Sequence, residues 1–319
     1  MTVSNPTITF DNTSTATFRA WGSAVSSALQ TVGLVKTTDT GQIDFTTVAV
    51  PGANTAAGYE IYRLSDSLQA SKPVFMKVEY GSGPAGSYPA IWITFSNATN
   101  GAGTLTGLLT NTRKIHYGAG SGASPQPCYF AGDGSYLTML LAPALFGSNG
   151  SGYFCMLLAF DRTRDVSNAI TSDGFHFTST HSRAVSSPST YGAPLYGNLN
   201  FGVITMFSAG VFSFKISAIG QVGDTGGTGV SYLGNLLFQI PLGLGTTTYL
   251  GDVYYFPQLI TAPAISYSSL LMVGFNTDLP AGLTTLTVPN LGATRTYIVV
   301  NLDFTGLGTS VIRTLVRYE

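Results

Sequence analysis

The chain has 319 residues, of which 14 are Lys or Arg and 15 are Asp or Glu, so that 9% is charged where soluble domains usually carry roughly 25%. A net charge of −1 with no basic block excludes a nucleic-acid platform, which works by displacing counterions with clustered Lys and Arg. Glutamate occurs three times (Glu60, Glu79, Glu319) and lysine five times, while Tyr and Phe are plentiful; interfaces show this bias, so composition predicts an exterior largely covered by other protein.

Met1 to Pro6 lacks a basic stretch followed by an apolar one, so no secretory signal is expected. The longest apolar run, Tyr153 to Phe160, is too short to span a bilayer as a helix, and the regular ten-residue alternation of an outer-membrane barrel is missing. The mean hydropathy of +0.25 therefore reads as burial between subunits rather than in lipid. Cys128 and Cys155 are expected as two free, buried thiols.

Along the chain, Phe18, Trp21, Val25, Ala28, Leu29 and Val32 recur at three- and four-residue steps and predict an amphipathic helix. Ser14 or Thr15, with Asn12 and Asp11 as rivals, would cap its start, and Gly33 stands where a left-handed residue would end it. This helix is expected to pack on a sheet, the rival being a helix that offers Trp21 to a neighbouring subunit. Strands are expected at Ile43 to Val50, Gly58 to Leu64, Val74 to Tyr80 and Ala90 to Phe95. In the third of these Val74, Met76, Val78 and Tyr80 alternate with Phe75, Lys77 and Glu79.

Composition changes at residues 117–136, which are Gly-, Ser- and Pro-rich, with a turn at Gly132-Asp133-Gly134. Further strands are expected at Tyr153 to Phe160, Gly174 to Thr178, Asn200 to Phe207, Val211 to Ile219, Ser231 to Ile240 and Thr248 to Phe256. Ser208-Ala209-Gly210 marks a hairpin, and Gly223 to Gly229 a glycine-rich loop. The last third adds Leu270 to Phe275, Thr284 to Val288, Thr296 to Phe304 and Ser310 to Tyr318. The pattern predicts a mainly β chain: an N-terminal α+β unit over residues 1–117, with one amphipathic helix on an antiparallel sheet, then β-sandwich-like portions at 118–245 and 246–319.

No reaction is legible. His176 and His181 are five apart, on opposite faces of one strand; no metal-ligand spacing occurs, and neither metal nor cofactor is expected. Gly81-Ser-Gly-Pro-Ala-Gly86 matches a dinucleotide-binding pattern formally, but Pro84 and Pro89 stand where the helix should open, so it reads as a hairpin loop. Asp161, Asp165 and Asp173 lie beside Arg162 and Arg164. They read first as an ion-paired loop and second as carboxylates of a polysaccharide depolymerase. A host-surface glycan-binding module is a further alternative, with Tyr191, Tyr196, Tyr254 and Tyr255 as stacking candidates. Trp21, Tyr59, Tyr62 and Trp92 are the candidate interface anchors, with an internal core role as the alternative, because buried aromatics dominate contact energetics.

The words Phe18-Arg-Ala-Trp21, Val32-Gly-Leu-Val35, Thr38-Asp-Thr-Gly41-Gln-Ile43, Asn54-Thr-Ala-Ala-Gly58-Tyr-Glu-Ile-Tyr62-Arg and Pro73-Val-Phe-Met-Lys-Val-Glu-Tyr80 resemble virion structural proteins of tailed bacteriophages. The resemblance covers the first quarter of the chain. It implies a non-enzymatic component of a phage particle, in tail, baseplate, fibre-attachment or head-decoration position. Such a protein is made in the bacterial cytoplasm and located in the virion. Its partners would be copies of itself and other virion proteins, with host glycan as a further partner and neither nucleic acid nor membrane insertion.

Overall fold

The computed structural model describes residues 1–83, 86–108, 114–117, 124–143, 156–165, 167, 169–181, 199–205, 214–219, 255–260, 266–274, 283–290, 293–302 and 312–319. Among the described residues the fold is mainly β, with antiparallel sheets and one helix near the N-terminus. Two compact units are distinguishable: Met1–Leu157 with Thr180–Tyr196, and Leu158–Ser179 with Gly197–Glu319.

In the first unit the strands are β1 (Thr2–Ser4), β2 (Thr7–Ile8), β3 (Val35–Lys36), β4 (Thr55–Arg63), β5 (Phe75–Ser82), β6 (Pro89–Thr99), β7 (Leu105–Leu108), β8 (Lys114–Tyr117), β9 (Gln126–Pro127), β10 (Tyr129–Gly132) and β11 (Tyr136–Leu141), with helix α1 at Thr15–Thr31. β3-β4-β5-β6-β7 form one sheet, and β8 pairs the other half of β6. β1 pairs β10, β10 pairs β11 and β2 pairs β9. The expected boundary at residue 117 thus falls inside this unit, since residues 2–8 pair with strands that follow it.

Helix α1 begins as its sequence dictates. The Ser14 hydroxyl accepts from the Thr17 amide at 3.1 Å, and Thr17 Oγ1 accepts from the Ser14 amide at 3.3 Å, a capping box with Thr in the usual Glu place. It ends in a Schellman motif: Gly33 has φ +95°, its amide donates to the Gln30 carbonyl, and the Leu34 amide donates to the Leu29 carbonyl. Phe18, Trp21, Val25, Ala28 and Leu29 are buried, and the large side chains among them contribute roughly 1.5–3 kcal/mol each by leaving water. Gly22 is buried as well, and Phe45 occupies the volume its Cβ would need, with Cζ only 2.8 Å from that position.

The expected alternation on β5 is present: Val74, Met76, Val78 and Tyr80 are buried and Phe75, Lys77 and Glu79 half-buried. The antiparallel register Phe75↔Ser96 through Ser82↔Pro89 makes Gly81 to Gly86 part of a β5–β6 hairpin, closed by the Gly83 amide donating to the Tyr88 carbonyl at 2.8 Å. Pro84 and Ala85 lie outside the described residues.

One expected strand, Ile43 to Val50, is instead a turn. The Asp44 carboxylate accepts from the Thr46 amide and hydroxyl and from the Thr47 hydroxyl, while its carbonyl takes the Thr47 and Val48 amides. Local side-chain hydrogen bonding of this kind outcompetes the β propensity of the flanking Ile, Thr and Val residues.

In the second unit the strands are β12 (Met156–Arg164, entering from the first unit), β13 (Ile170–His181), β14 (Leu199–Thr205), β15 (Phe214–Ile219), β16 (Tyr255–Ile260), β17 (Ser266–Gly274), β18 (Thr285–Asn290), β19 (Ala293–Leu302) and β20 (Ile312–Arg317). Their order is β12-β17-β20-β19-β18, with β13 beside β12, β14 beside β13, β15 beside β14 and β16 beside β17. Met156 to Phe160 is buried throughout, as its unbroken apolar run requires. β14 and β15 pair antiparallel on either side of Ser208-Ala209-Gly210, itself outside the described residues, as are Ser231 to Ile240 and the loop Gly223 to Gly229.

Candidate functional site

Three of the four aromatic contact candidates belong to the internal core. Trp21 is 1% exposed: its ring meets Phe18 edge-on at 5.5 Å and lies 5.9 Å from both Phe10 and Tyr80, and its Nε1 donates to Asn12 Oδ1 at 2.8 Å. Asn12 Nδ2 in turn donates to the Gly81 carbonyl and to Ser82 Oγ, both at 2.9 Å. This buried amide ties helix, N-terminal segment and hairpin together. Tyr62 is fully buried and Trp92 is 4% exposed. As interface anchors these three are corrected: the chain's own helix and sheet cover them before any partner arrives.

Tyr59 is half-buried and is also engaged within the chain. Its hydroxyl donates to the Thr40 carbonyl at 2.7 Å, and its ring carries Lys77 Nζ at 4.1 Å, a cation–π contact. Lys77 donates onward to the Gly103 carbonyl at 3.0 Å. Gly103 has φ +82° and no Cβ, which the Tyr59 hydroxyl would otherwise strike. Asp39 fastens the same two loops, accepting from Thr99 Oγ1 and, at 3.2 Å, from the Gly103 amide. Burial pushes its carboxyl up, but the hydrogen bonds from Thr99 and Gly103 outweigh this and hold it below the ordinary aspartate value.

The most highly organised polar group among the described residues is centred on Glu60, which sequence reasoning missed. Glu60 is 1% exposed. Oε1 accepts from Ser26 Oγ at 2.8 Å and from Lys36 Nζ at 2.6 Å; Oε2 accepts from Tyr62 at 2.6 Å and Tyr80 at 2.8 Å. Burial above all, then the Glu60 charge, pushes the Tyr62 hydroxyl far above its ordinary value, and burial does the same to Tyr80. Both therefore remain protonated donors. A carboxylate offers about four lone-pair sites and all four are filled, so the group is built to join α1 to β4 and β5 rather than to take a proton from a substrate. A signal existed: a rare glutamate two residues from Tyr62, on the strand face where period two places both toward the helix.

Of the acidic cluster only Asp161 is shown ion-paired, and it sits on strand β12 rather than in the expected loop. Asp161 is fully buried, and Arg164 grips it through Nε at 2.7 Å and Nη2 at 2.8 Å. Asp165 caps a short turn, accepting from the Ser167 amide and hydroxyl and from the Ala169 amide. Asp173 lies on β13, with His176 and His181. Arg162, Arg295 and Arg317 are buried too, and burial, followed by the positive charge of Arg317, lowers Arg295 from its ordinary value. Of the glycan-contact candidates, Tyr255 opens β16, whereas Tyr191, Tyr196 and Tyr254 lie outside the described residues.

Among the described residues no three His, Cys, Asp or Glu side chains assemble as a metal site, and no helix is long and apolar enough to cross a membrane. What stands out instead is where charge goes. Asp11, Asp39, Glu60, Asp161, Arg162, Arg164, Arg295 and Arg317, eight of the few ionic side chains, are buried. The exposed residues of α1 are Ala16, Ala20, Ser23, Ser27, Gln30 and Thr31; the helix's one charged residue, Arg19, donates to the Val48 and Thr47 carbonyls at 2.6 and 2.7 Å. Large apolar side chains exposed among the described residues are confined to Met1, Val3 and Leu108. The described exterior is therefore polar and sparsely charged. No protein-family model matches the chain, and the comparison with curated proteins gives no match.

Proposed function

We propose that this protein is a structural component of a tailed-bacteriophage particle, acting through assembly with copies of itself and neighbouring virion proteins and not through catalysis. One observation supports this reading most: in a chain already poor in ionic groups, the described residues place eight of them inside and leave an exterior mainly of Ser, Thr, Asn, Gln, Ala and Gly. Mixed surface charge keeps free monomers apart; its removal lowers the desolvation cost of bringing two surfaces together, while the hydroxyls and amides keep the unassembled chain hydrated. The resemblance of the first quarter to virion proteins points the same way. Buried aromatics then serve to make the subunit rigid, and contacts fall to the polar, charge-poor skin.

Sedimentation of the purified full-length chain tests this. Concentration-dependent association at micromolar levels, little weakened by 0.5 M salt because few charges take part, is the expected result. A monomer that persists at millimolar concentration would refute assembly, and host-polysaccharide binding by that monomer would favour the glycan-receptor alternative.

A further inference from the structure

We draw no further inference here: the strongest candidate, the buried cluster of Asp161, Arg164, Arg295 and Arg317 in the sheet of the second unit, carries no proposal because its charged groups are engaged within the chain.

Discussion

Replacing Glu60 by Gln keeps the side chain's size and removes one charge, so its cost measures what the buried carboxylate contributes. The amide has two orientations. With its NH2 toward Tyr62 and Tyr80, three donor groups converge in a buried site. With the NH2 toward Ser26 and Lys36, the amide oxygen still takes both phenols, the Ser26 hydroxyl can turn to accept, and Lys36, 30% exposed, can swing into solvent. The second arrangement is cheaper. It converts two charge-assisted hydrogen bonds into neutral ones, a loss of about 1 kcal/mol each, and forfeits a third at Ser26 in part. The half-open Lys36 pair adds at most about 1 kcal/mol. The expected destabilisation is about 3 kcal/mol, or roughly 6–12 °C in Tm for a unit of this size. Urea titration followed by tryptophan fluorescence suits the measurement, since the two tryptophans, Trp21 and Trp92, both lie in the first unit and Trp21 packs on Tyr80. Lys36→Met leaves the buried carboxylate with its three hydroxyl donors but no cation and should cost about 1–3 kcal/mol by the same assay, and Tyr62→Phe, which removes one of those donors, should be non-additive with Glu60→Gln. A Glu60→Gln midpoint within about 0.5 kcal/mol of wild type, or a Tyr62→Phe change fully additive with Glu60→Gln, would refute the assignment of the network as the joint between helix and sheet.

Other consequences are as direct. Gly132→Ala would drive a Cβ into the Val32 carbonyl and to 2.9 Å from the Tyr136 carbonyl, both backbone atoms with no room to retreat; a loss of about 3 kcal/mol is expected in the same titration, and an unchanged midpoint would contradict the packing of the helix end against β10. Asp39 has a folded-state pKa below its unfolded value of about 3.9, so its contribution is complete above that pH and fades as pH falls through the folded value. Stability of wild type should thus drop more steeply than that of Asp39→Asn between about pH 5 and pH 2, and parallel curves would remove Asp39 as the loop fastener. Burial pushes the Cys128 thiol up to about 12, so in a Cys155→Ser chain it should resist a disulfide reagent at pH 8 and titrate as one thiol in urea; rapid labelling of the folded chain would contradict that burial.

How far the sequence could be read depended on the range of the interaction concerned. Helix α1, its Ser14 cap and its Gly33 stop were legible because capping and amphipathic periodicity are written within a few residues. The β5 alternation was legible for the same reason. The failure at Ile43 to Val50 was also local, since β propensity was weighed without the competing Asp44 carboxylate, which takes the amide two residues further on. What could not be read was pairing across sequence distance: Glu60 with Ser26 and Tyr80, or Asn12 with Trp21 and Gly81, depends on register and helix placement that composition does not encode. Trp21, Tyr62 and Trp92 failed as contacts because size and apolarity mark a residue for burial without saying which body covers it.

The same asymmetry bears on function. Low charge admits two physical outcomes: a greasy exterior, which would aggregate, or a polar one with few charges, which can stay hydrated and still dock. The described residues take the second course, and they do so by committing ionic side chains to internal joints: Glu60 between helix and strands, Asp39 between two loops, Asp161 against Arg164. Such joints tend to cost stability compared with apolar packing, yet they impose a unique geometry, since a misplaced partner leaves a buried charge uncompensated. A subunit repeated many times in a symmetric assembly benefits from that trade, because small errors in shape accumulate over every interface. Glu60→Leu with Lys36→Met and both tyrosines changed to Phe then distinguishes the two demands: thermal stability held or raised, with association weakened or heterogeneous in sedimentation, is the outcome that geometry-setting joints require. Unaltered, homogeneous assembly by that variant would mean the ionic interior serves the fold alone.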